Sequence, residues 1–394
     1  MMIATKKQYE SLTEKTAIHF AKEFFAEDAV LECREIGDGN LNYVFHIKDS
    51  KNDKSLIIKQ ALPYAKVVGE SWPLTLKRAV IEANALKKHG EFAVGLVPKV
   101  YATDEELAIT VMEDLSHLKI VREGLIQLES YPKLATDIGE YLASTLFSTS
   151  DFALHPFEKK KLVSDFSNPE LCKITEDLIF TDPFFDNETN DFEPSLRADV
   201  EAIWQNGPLK LEVAKLKKSF LTEAEALLHG DLHTGSIFAS EEETKVIDPE
   251  FAFYGPIGFD VGLFLANLIV QTITRDGKQR IVILHQIEQT WEVFTTRFSA
   301  LWKSEGIDAY KDTDGFEEYI VNKIFQDALG FAGCELIRRT IGLAHVKDLD
   351  GIVDDEQRIN AKKQALQIGE KLILNRRDIS SINAAISLLE RVNK

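Results

Sequence analysis

The chain has 394 residues, 44% of them hydrophobic and 28% charged, an ordinary folded-protein balance and long enough for two domains rather than one core. Its formal net charge of −18 excludes a general affinity for nucleic acid or an anionic membrane surface, so a site for a phosphorylated ligand must gather positive charge locally. The three widely spaced cysteines (Cys33, Cys172, Cys334), the absence of a signal-peptide core in Met1 to Glu10 and the lack of any membrane-length apolar run together point to a reducing, cytoplasmic setting.

Taken in chain order, apolar residues at helical spacing (Ala17, Phe20, Ala21, Phe24, Phe25) predict a helix over about residues 15–28. Strand-like runs follow at Leu31–Ile36, Tyr43–Ile47 and Leu56–Gln60, with the polar Lys48–Lys54 link as a hairpin between the last two. Thr75 to His89 reads as a helix ended by Gly90, and Val97–Ala102 and Leu107–Met112 as two further strands. These elements predict a small β-rich N-lobe over residues 1–115.

From 116 to 394 the spacing is helical. Leu134, Ile138, Leu142 and Leu146 recur every four residues behind Pro132, and Val261–Val270 is an apolar stretch expected to be a buried helix. Phe325, Ala328, Ala332 and Leu336 form another stripe, and Ala361–Leu374 and Ile379–Val392 read as closing helices. The acidic, proline-bearing segment Thr181–Pro194 is expected to be an exposed loop, and Lys159-Lys160-Lys161 a solvated basic run. The fold class expected is therefore α+β and bilobal, with a large, mainly helical C-lobe.

The chemistry-bearing residues are concentrated in two short segments, His229-Gly230-Asp231-Leu232-His233-Thr234-Gly235-Ser236-Ile237 and Val246-Ile247-Asp248-Pro249-Glu250-Phe251. Ile237 with Phe238, and Val246 with Ile247, read as two short strands joined through the polar turn at Glu241 to Thr244. That arrangement presents Asp231 at the end of one loop and Asp248 and Glu250 after the second strand. Carboxylates clustered this way suit Mg²⁺, which takes one or two of them together with substrate phosphates. A further carboxylate outside the metal set can accept the proton of an attacking hydroxyl. His229 and His233 lie four apart, but no zinc-protease glutamate lies between them and Gly230 disfavours a helix, so His229 reads as a brace of the loop.

Weaker signals precede these segments. Gly37-Asp38-Gly39-Asn40 sits between strands, either as a plain hairpin or as a turn whose N–H groups cradle phosphate. Lys59 ends an apolar strand and can pair with α- and β-phosphates; Glu82 is its expected partner, with Glu70 and Glu91 left open. Glu113 to Leu115 forms an extended linker whose backbone can meet an adenine edge. A glycine turn, strand lysine, helix glutamate, linker, His-Gly-Asp loop and acidic segment follow one another in the order phosphoryl transfer requires.

On those residues the chain resembles the protein-kinase-like superfamily of small-molecule kinases that holds aminoglycoside phosphotransferases and choline kinases. Within it the chain is similar to the methylthioribose kinase family over nearly its whole length. Two departures from the wider superfamily carry that likeness: Ser236 where an Asn is usual, and Asp248-Pro249-Glu250 where Asp-Phe-Gly is usual. The resemblance implies ATP-dependent phosphorylation of 5-methylthioribose, a small sugar, at its 1-hydroxyl in methionine salvage, by a cytoplasmic homodimer. It makes Asp231 the catalytic base, also touching substrate, and Asp248 and Glu250 the Mg²⁺ ligands, with Ser236 as a weaker one. It places ATP against Gly37, Gly39, Asn40, Lys59, Glu113 and Leu115. Arg338 and Arg339, otherwise readable as helix C-terminal charges, and Trp72, otherwise a packing anchor, would bind substrate. The alternatives are a kinase of another small alcohol, of aminoglycoside, choline or homoserine type, or a nucleotide-binding protein without catalysis.

Overall fold

The structure, a computed structural model, describes residues 9–36, 41–65 and 69–392, with residues 65 and 69–73 as backbone only. The chain divides into two compact units, one of Met1–Leu118 with Lys245–Phe251, the other of Lys119–Thr244 with Ala252–Lys394.

In the first unit, α1 (Glu14–Ala21) begins at Thr13, whose hydroxyl accepts from the Thr16 N–H at 3.3 Å while the Thr16 hydroxyl accepts from the Thr13 N–H at 2.8 Å. This reciprocal cap satisfies two donors a helix start leaves open. The helix is shorter than its pattern predicts and passes into a single tight turn at Lys22–Phe24. The strands β1 (Leu31–Glu35), β2 (Asn42–Asp49), β3 (Lys54–Ala61), β4 (Tyr64–Ala65) and β5 (Gly69–Pro73) follow, then α2 (Lys77–Phe92), β6 (Val100–Asp104) and β7 (Ile109–Met112). Five of them form an antiparallel sheet in the order β1-β2-β3-β7-β6.

Period-two alternation decides which side chains meet. Phe45 and Ile47 of β2, Leu56 and Ile58 of β3, and Ile109 and Val111 of β7 close one core with Ala17 and Ala21 of α1. The intervening β3 residues point the other way, and Ala61 packs there with Ala79 of α2. Lys59 shares that face. Gly90 does not end α2, which runs on to Phe92. A Cβ at Gly90 would lie 3.3 Å from Val97 Cγ2, so the glycine serves close packing of the returning chain.

The second unit contains β8 (Lys119–Ile120), α3 (Val121–Ile126), α4 (Leu134–Ser148), α5 (Pro156–Asp165), α6 (Pro169–Phe180), α7 (Arg197–Gln205), α8 (Gly207–Thr222), β9 (Ala226–Leu227) and β10 (Ile237–Ala239). The strand β11 (Thr244–Val246) returns the chain to the first unit. Beyond it lie β12 (Tyr254–Gly255), α9 (Gly258–Ile273), α10 (Gly277–Glu305), α11 (Phe316–Ile341), α12 (Lys347–Asp350), α13 (Asp355–Asn375) and α14 (Ile382–Val392). Every residue of α9 from Gly258 to Thr272 is buried, which accounts for the apolar run seen in the sequence. Its neighbour α11 approaches closely because a Cβ at Gly262 would stand 2.5 Å from the Ala328 carbonyl, and α13 does so because Gly333 and Gly369 face one another. Phe180, Phe220, Phe259 and Phe331 fill the space beside these crossings as tilted and edge-on pairs.

Two surface expectations are corrected. The segment Thr181–Pro194 is not a free loop: Asp182 is buried and accepts from Asn187 Nδ2 at 3.0 Å and Thr189 Oγ1 at 2.7 Å. Asp191 N–H donates to the Ile341 carbonyl at 2.9 Å, so short polar residues pin the segment down. Lys159 is not solvated either. Its ammonium is buried on Asp151 at 2.5 Å and on the carbonyls of Ala224 and Glu225, three acceptors that offset its loss of water. Among the described residues no helix is long and apolar enough to cross a membrane.

Candidate active site

The first unit gathers its charges on the α2 face of the sheet. Lys59, 7% exposed, donates to Glu82 Oε1 at 2.7 Å and also to Asp248 Oδ1. The lysine's partner is thus Glu82, the first of the candidates open in the sequence. Burial opposes the Lys59 charge, but Asp248, Glu82 and Glu250 outweigh it and raise its pKa well above the ordinary value. Burial pushes the Glu82 carboxyl the other way for an acid, up to about 7, against the pull of Lys59.

Asp248 and Glu250 were expected in the second lobe, but their contacts put them in the first unit. Asp248 has φ +61, a left-handed backbone uncommon outside glycine. The single-turn helix Pro249–Phe251 that follows packs against α2. Glu250 is fixed there by Arg78, which is fully buried and donates from Nη1 to Glu250 Oε2 at 2.6 Å and to Asn42 Oδ1 at 2.7 Å. Its Nη2 donates to the carbonyls of Leu41 and Leu62. Arg78 was missed in the sequence, where its one signal is its place one helical turn before Glu82.

Among the described residues no group of three His, Cys, Asp or Glu could hold a metal ion. The donor chemistry nonetheless fits Mg²⁺: two carboxylates two residues apart, one of them, Asp248, with a half-exposed side chain and the other held rigid by Arg78.

At the end of β7 the linker is braced by Asp114, which takes Ser55 Oγ at 2.6 Å and lies 3.0 Å from His46 Nε2. The Glu113 N–H is spent on the Lys99 carbonyl at 2.9 Å. Among the described residues the Glu113 carbonyl and the Leu115 N–H have no hydrogen-bond partner. Gly37, Gly39 and Asn40 lie outside the described residues, and Trp72 is described only as part of β5, which pairs with β4.

In the second unit, Gly230 (φ +85) turns the chain before Asp231. The loop is held from α9 by Asp260, which accepts the N–H of His229 at 2.6 Å and of Gly230 at 3.0 Å. His229 in turn accepts the Asp231 N–H on Nδ1 at 3.2 Å, the bracing its position suggested. Asp260 gave no signal in the sequence beyond being an acid in a helix's first turn.

Ser236 takes part in closing the loop. Its hydroxyl donates to the carbonyls of His233 at 2.8 Å and Asp231 at 3.2 Å and accepts the His233 N–H at 3.0 Å. These bonds use its one proton and one of its two lone pairs.

Around Asp231 the charges are positive. Arg338 Nη2 lies 3.7 Å and Arg339 Nη2 4.0 Å from its Oδ1, and His233 Nε2 lies 3.4 Å from Oδ2. Burial alone would raise the Asp231 carboxyl; His233, Arg338 and Arg339 outweigh it and hold it well below the usual carboxylate range. Burial, with Arg122 and Arg339, lowers the His233 imidazole against the pull of Asp231. Arg122 donates to Asn267 Oδ1 at 2.8 Å and pairs with Asp348 at 3.2 Å; it too was missed. The result is an ionised carboxylate facing two fixed guanidinium groups, a base beside a site for developing negative charge.

A model of the phosphotransferase enzyme family matches residues 32–295, which defines the class. Methylthioribose kinase of Geobacillus sp. (strain WCH70) is 58% identical over 390 residues, 98% of each chain. That of Geobacillus kaustophilus (strain HTA426) is 60% identical over 371 residues, 94% of each. Among solved structures, an ethanolamine kinase of Plasmodium vivax covers 90% of this chain and 86% of its own at 14% identity and a TM-score of 0.49. The chain belongs to the methylthioribose kinase family of phosphotransferases.

Proposed function

We propose that the protein transfers the γ-phosphoryl group of ATP to the 1-hydroxyl of 5-methylthioribose, giving the 1-phosphate and ADP. The observation that carries this reading is the convergence of Arg338 and Arg339 on one oxygen of the Asp231 carboxylate. The sugar is the one named for relatives near 60% identity.

The first unit binds nucleotide. The Glu113 carbonyl and Leu115 N–H take the adenine edge, and Lys59, steadied by Glu82, takes phosphate. Asp248 and Glu250 hold Mg²⁺, which when bound neutralises phosphate charge. Gly37, Gly39 and Asn40 belong to the same reading as a backbone cradle for phosphate.

The second unit binds the sugar, and Trp72 belongs to the same reading as a substrate-binding residue. Asp231 accepts the 1-hydroxyl proton as that oxygen bonds to the γ-phosphorus and the bond to the bridging oxygen of ADP breaks. Its low pKa makes it a weak base for a free alcohol. It therefore takes the proton late, as the oxygen gives up charge to phosphorus. Arg338 and Arg339 meet the charge of the transferring group. Their positive field disfavours a cationic acceptor such as choline or an aminoglycoside. The reading includes a cytoplasmic homodimer, which sedimentation tests.

A panel of 5-methylthioribose, ribose, choline and an aminoglycoside, each with ATP and Mg²⁺, tests the substrate. The highest kcat/KM is expected with 5-methylthioribose; a higher value with choline or the aminoglycoside would overturn it.

A further inference from the structure

Consecutive residues on an α-helix point about 100° apart, so Arg338 and Arg339 should diverge. Instead their Nη2 atoms come within 3.7 and 4.0 Å of the same Asp231 oxygen. The residue that reconciles them is Glu335, three positions before one and four before the other, the two spacings at which helical side chains meet. Glu335 Oε2 accepts from Arg338 Nε at 2.6 Å and Oε1 from Arg339 Nε at 2.7 Å. Each guanidinium is thus gripped mainly by its inner nitrogen, which turns the outer edge toward Asp231; Arg338 Nη2 also lies 3.5 Å from Oε1.

Glu335 is 1% exposed, so water does not compete for these bonds. The buried Glu335 and the partly exposed Asp231 together offset the two arginine charges, which is what makes two adjacent buried guanidiniums tolerable. The tethers are unequal. Arg339 has a second anchor, its Nη1 donating to the Ala344 carbonyl at 3.1 Å. Among the described residues the Arg338 side chain hydrogen-bonds only to Glu335.

We propose that Glu335 is a positioning residue for phosphoryl transfer that aligns Arg338 on the reacting centre, Arg339 being kept in place by its second anchor on Ala344. Both of its oxygens accept from the arginines, so it acts through them. The proposal rests on the reading of Asp231 and the arginine pair given above.

The test is a double-mutant cycle in kcat, with KM for ATP and for 5-methylthioribose and thermal unfolding measured alongside. Glu335→Gln keeps the shape, leaves one acceptor and removes the charge; Glu335→Asp keeps the charge but shortens the reach, and replaces Gln if that variant does not fold. Arg338→Ala and Glu335→Gln are each expected to lower kcat by about 100-fold, with the KM for ATP within about threefold of wild type. The double variant should be no worse than the poorer single one, because Glu335 acts on Arg338 alone once Arg339 is held by Ala344.

If Arg338→Ala leaves kcat unchanged, the role of the arginine pair fails and the inference falls with it. If Arg338→Ala lowers kcat while Glu335→Gln lowers only the unfolding temperature, the pair stands and the inference is overturned. Multiplied losses in the double variant overturn it equally.

Discussion

Lys59 of β3 and Glu82 of α2 meet at 2.7 Å with both side chains nearly closed to solvent. Breaking such a pair leaves one buried charge alone, at a cost of about 3–5 kcal/mol. Lys59→Met should therefore lower both stability and ATP affinity. Glu82→Gln should cost less, since burial has already pushed the Glu82 carboxyl up to about 7 and a neutral side chain suits its surroundings. Calorimetric unfolding and nucleotide titration check this; equal losses, or unchanged ATP affinity in Lys59→Met, would contradict it.

Arg78 grips Glu250 through one nitrogen and two backbone carbonyls through another. A lysine cannot reproduce that fork. Arg78→Lys keeps the charge but leaves buried acceptors unmet, so it should destabilise by about 1–3 kcal/mol and raise the Mg²⁺ concentration for half-maximal rate. Rate against Mg²⁺, with the variant confirmed folded, reads it; an unchanged Mg²⁺ requirement would remove Glu250 from the metal set.

Asp260 accepts two loop N–H groups from a fully buried position. Asp260→Asn replaces one acceptor oxygen by a donor facing an N–H, a loss of about 1.5–3 kcal/mol. The loop that carries Asp231 should loosen, lowering kcat with little change in ATP affinity. Steady-state kinetics and amide exchange at Gly230 and Asp231 follow the two effects separately.

The sheet was legible in the sequence because β2, β3 and β7 alternate faithfully, and the same period puts Lys59 on the face opposite Ile58. The helices of the second unit were legible where one apolar stripe repeats, as on α4 and α11. Charges that act inside the fold were not. Arg78, Asp260, Glu335 and Arg122 carry the same letters as surface residues, and only the folded structure shows that they are buried or half-buried. Lys159 was misread for that reason. The bonds of Ser236 to backbone groups three and five residues away were not legible either, a local closure with no mark in composition.

His233 and Asp231 both lose stability as pH falls, but in different windows. The folded His233 pKa lies below its ordinary 6.5. The unfolded chain therefore takes up a proton first as pH falls through 6.5, and stability declines from there until the folded pKa is passed. Asp231 is depressed below its ordinary 3.8, so its contribution is present above that value and is lost only as pH falls through the folded pKa. Between about pH 8 and about pH 5 the base stays ionised, and this loop's acid sensitivity belongs to His233. His233→Asn should flatten unfolding temperature against pH below 6.5; an unaltered slope would place the titrating group elsewhere.

The central claim is that Asp231 takes the proton of the sugar's 1-hydroxyl. Phosphorus NMR of the product formed from ATP and 5-methylthioribose, run with wild type and with Asp231→Asn, tests it most directly. The wild type should yield the 1-phosphate. The variant should bind ATP as before and form the same product about 10²–10⁴-fold more slowly. Phosphate on another hydroxyl, or Asp231→Asn turning over at the wild-type rate, would contradict it.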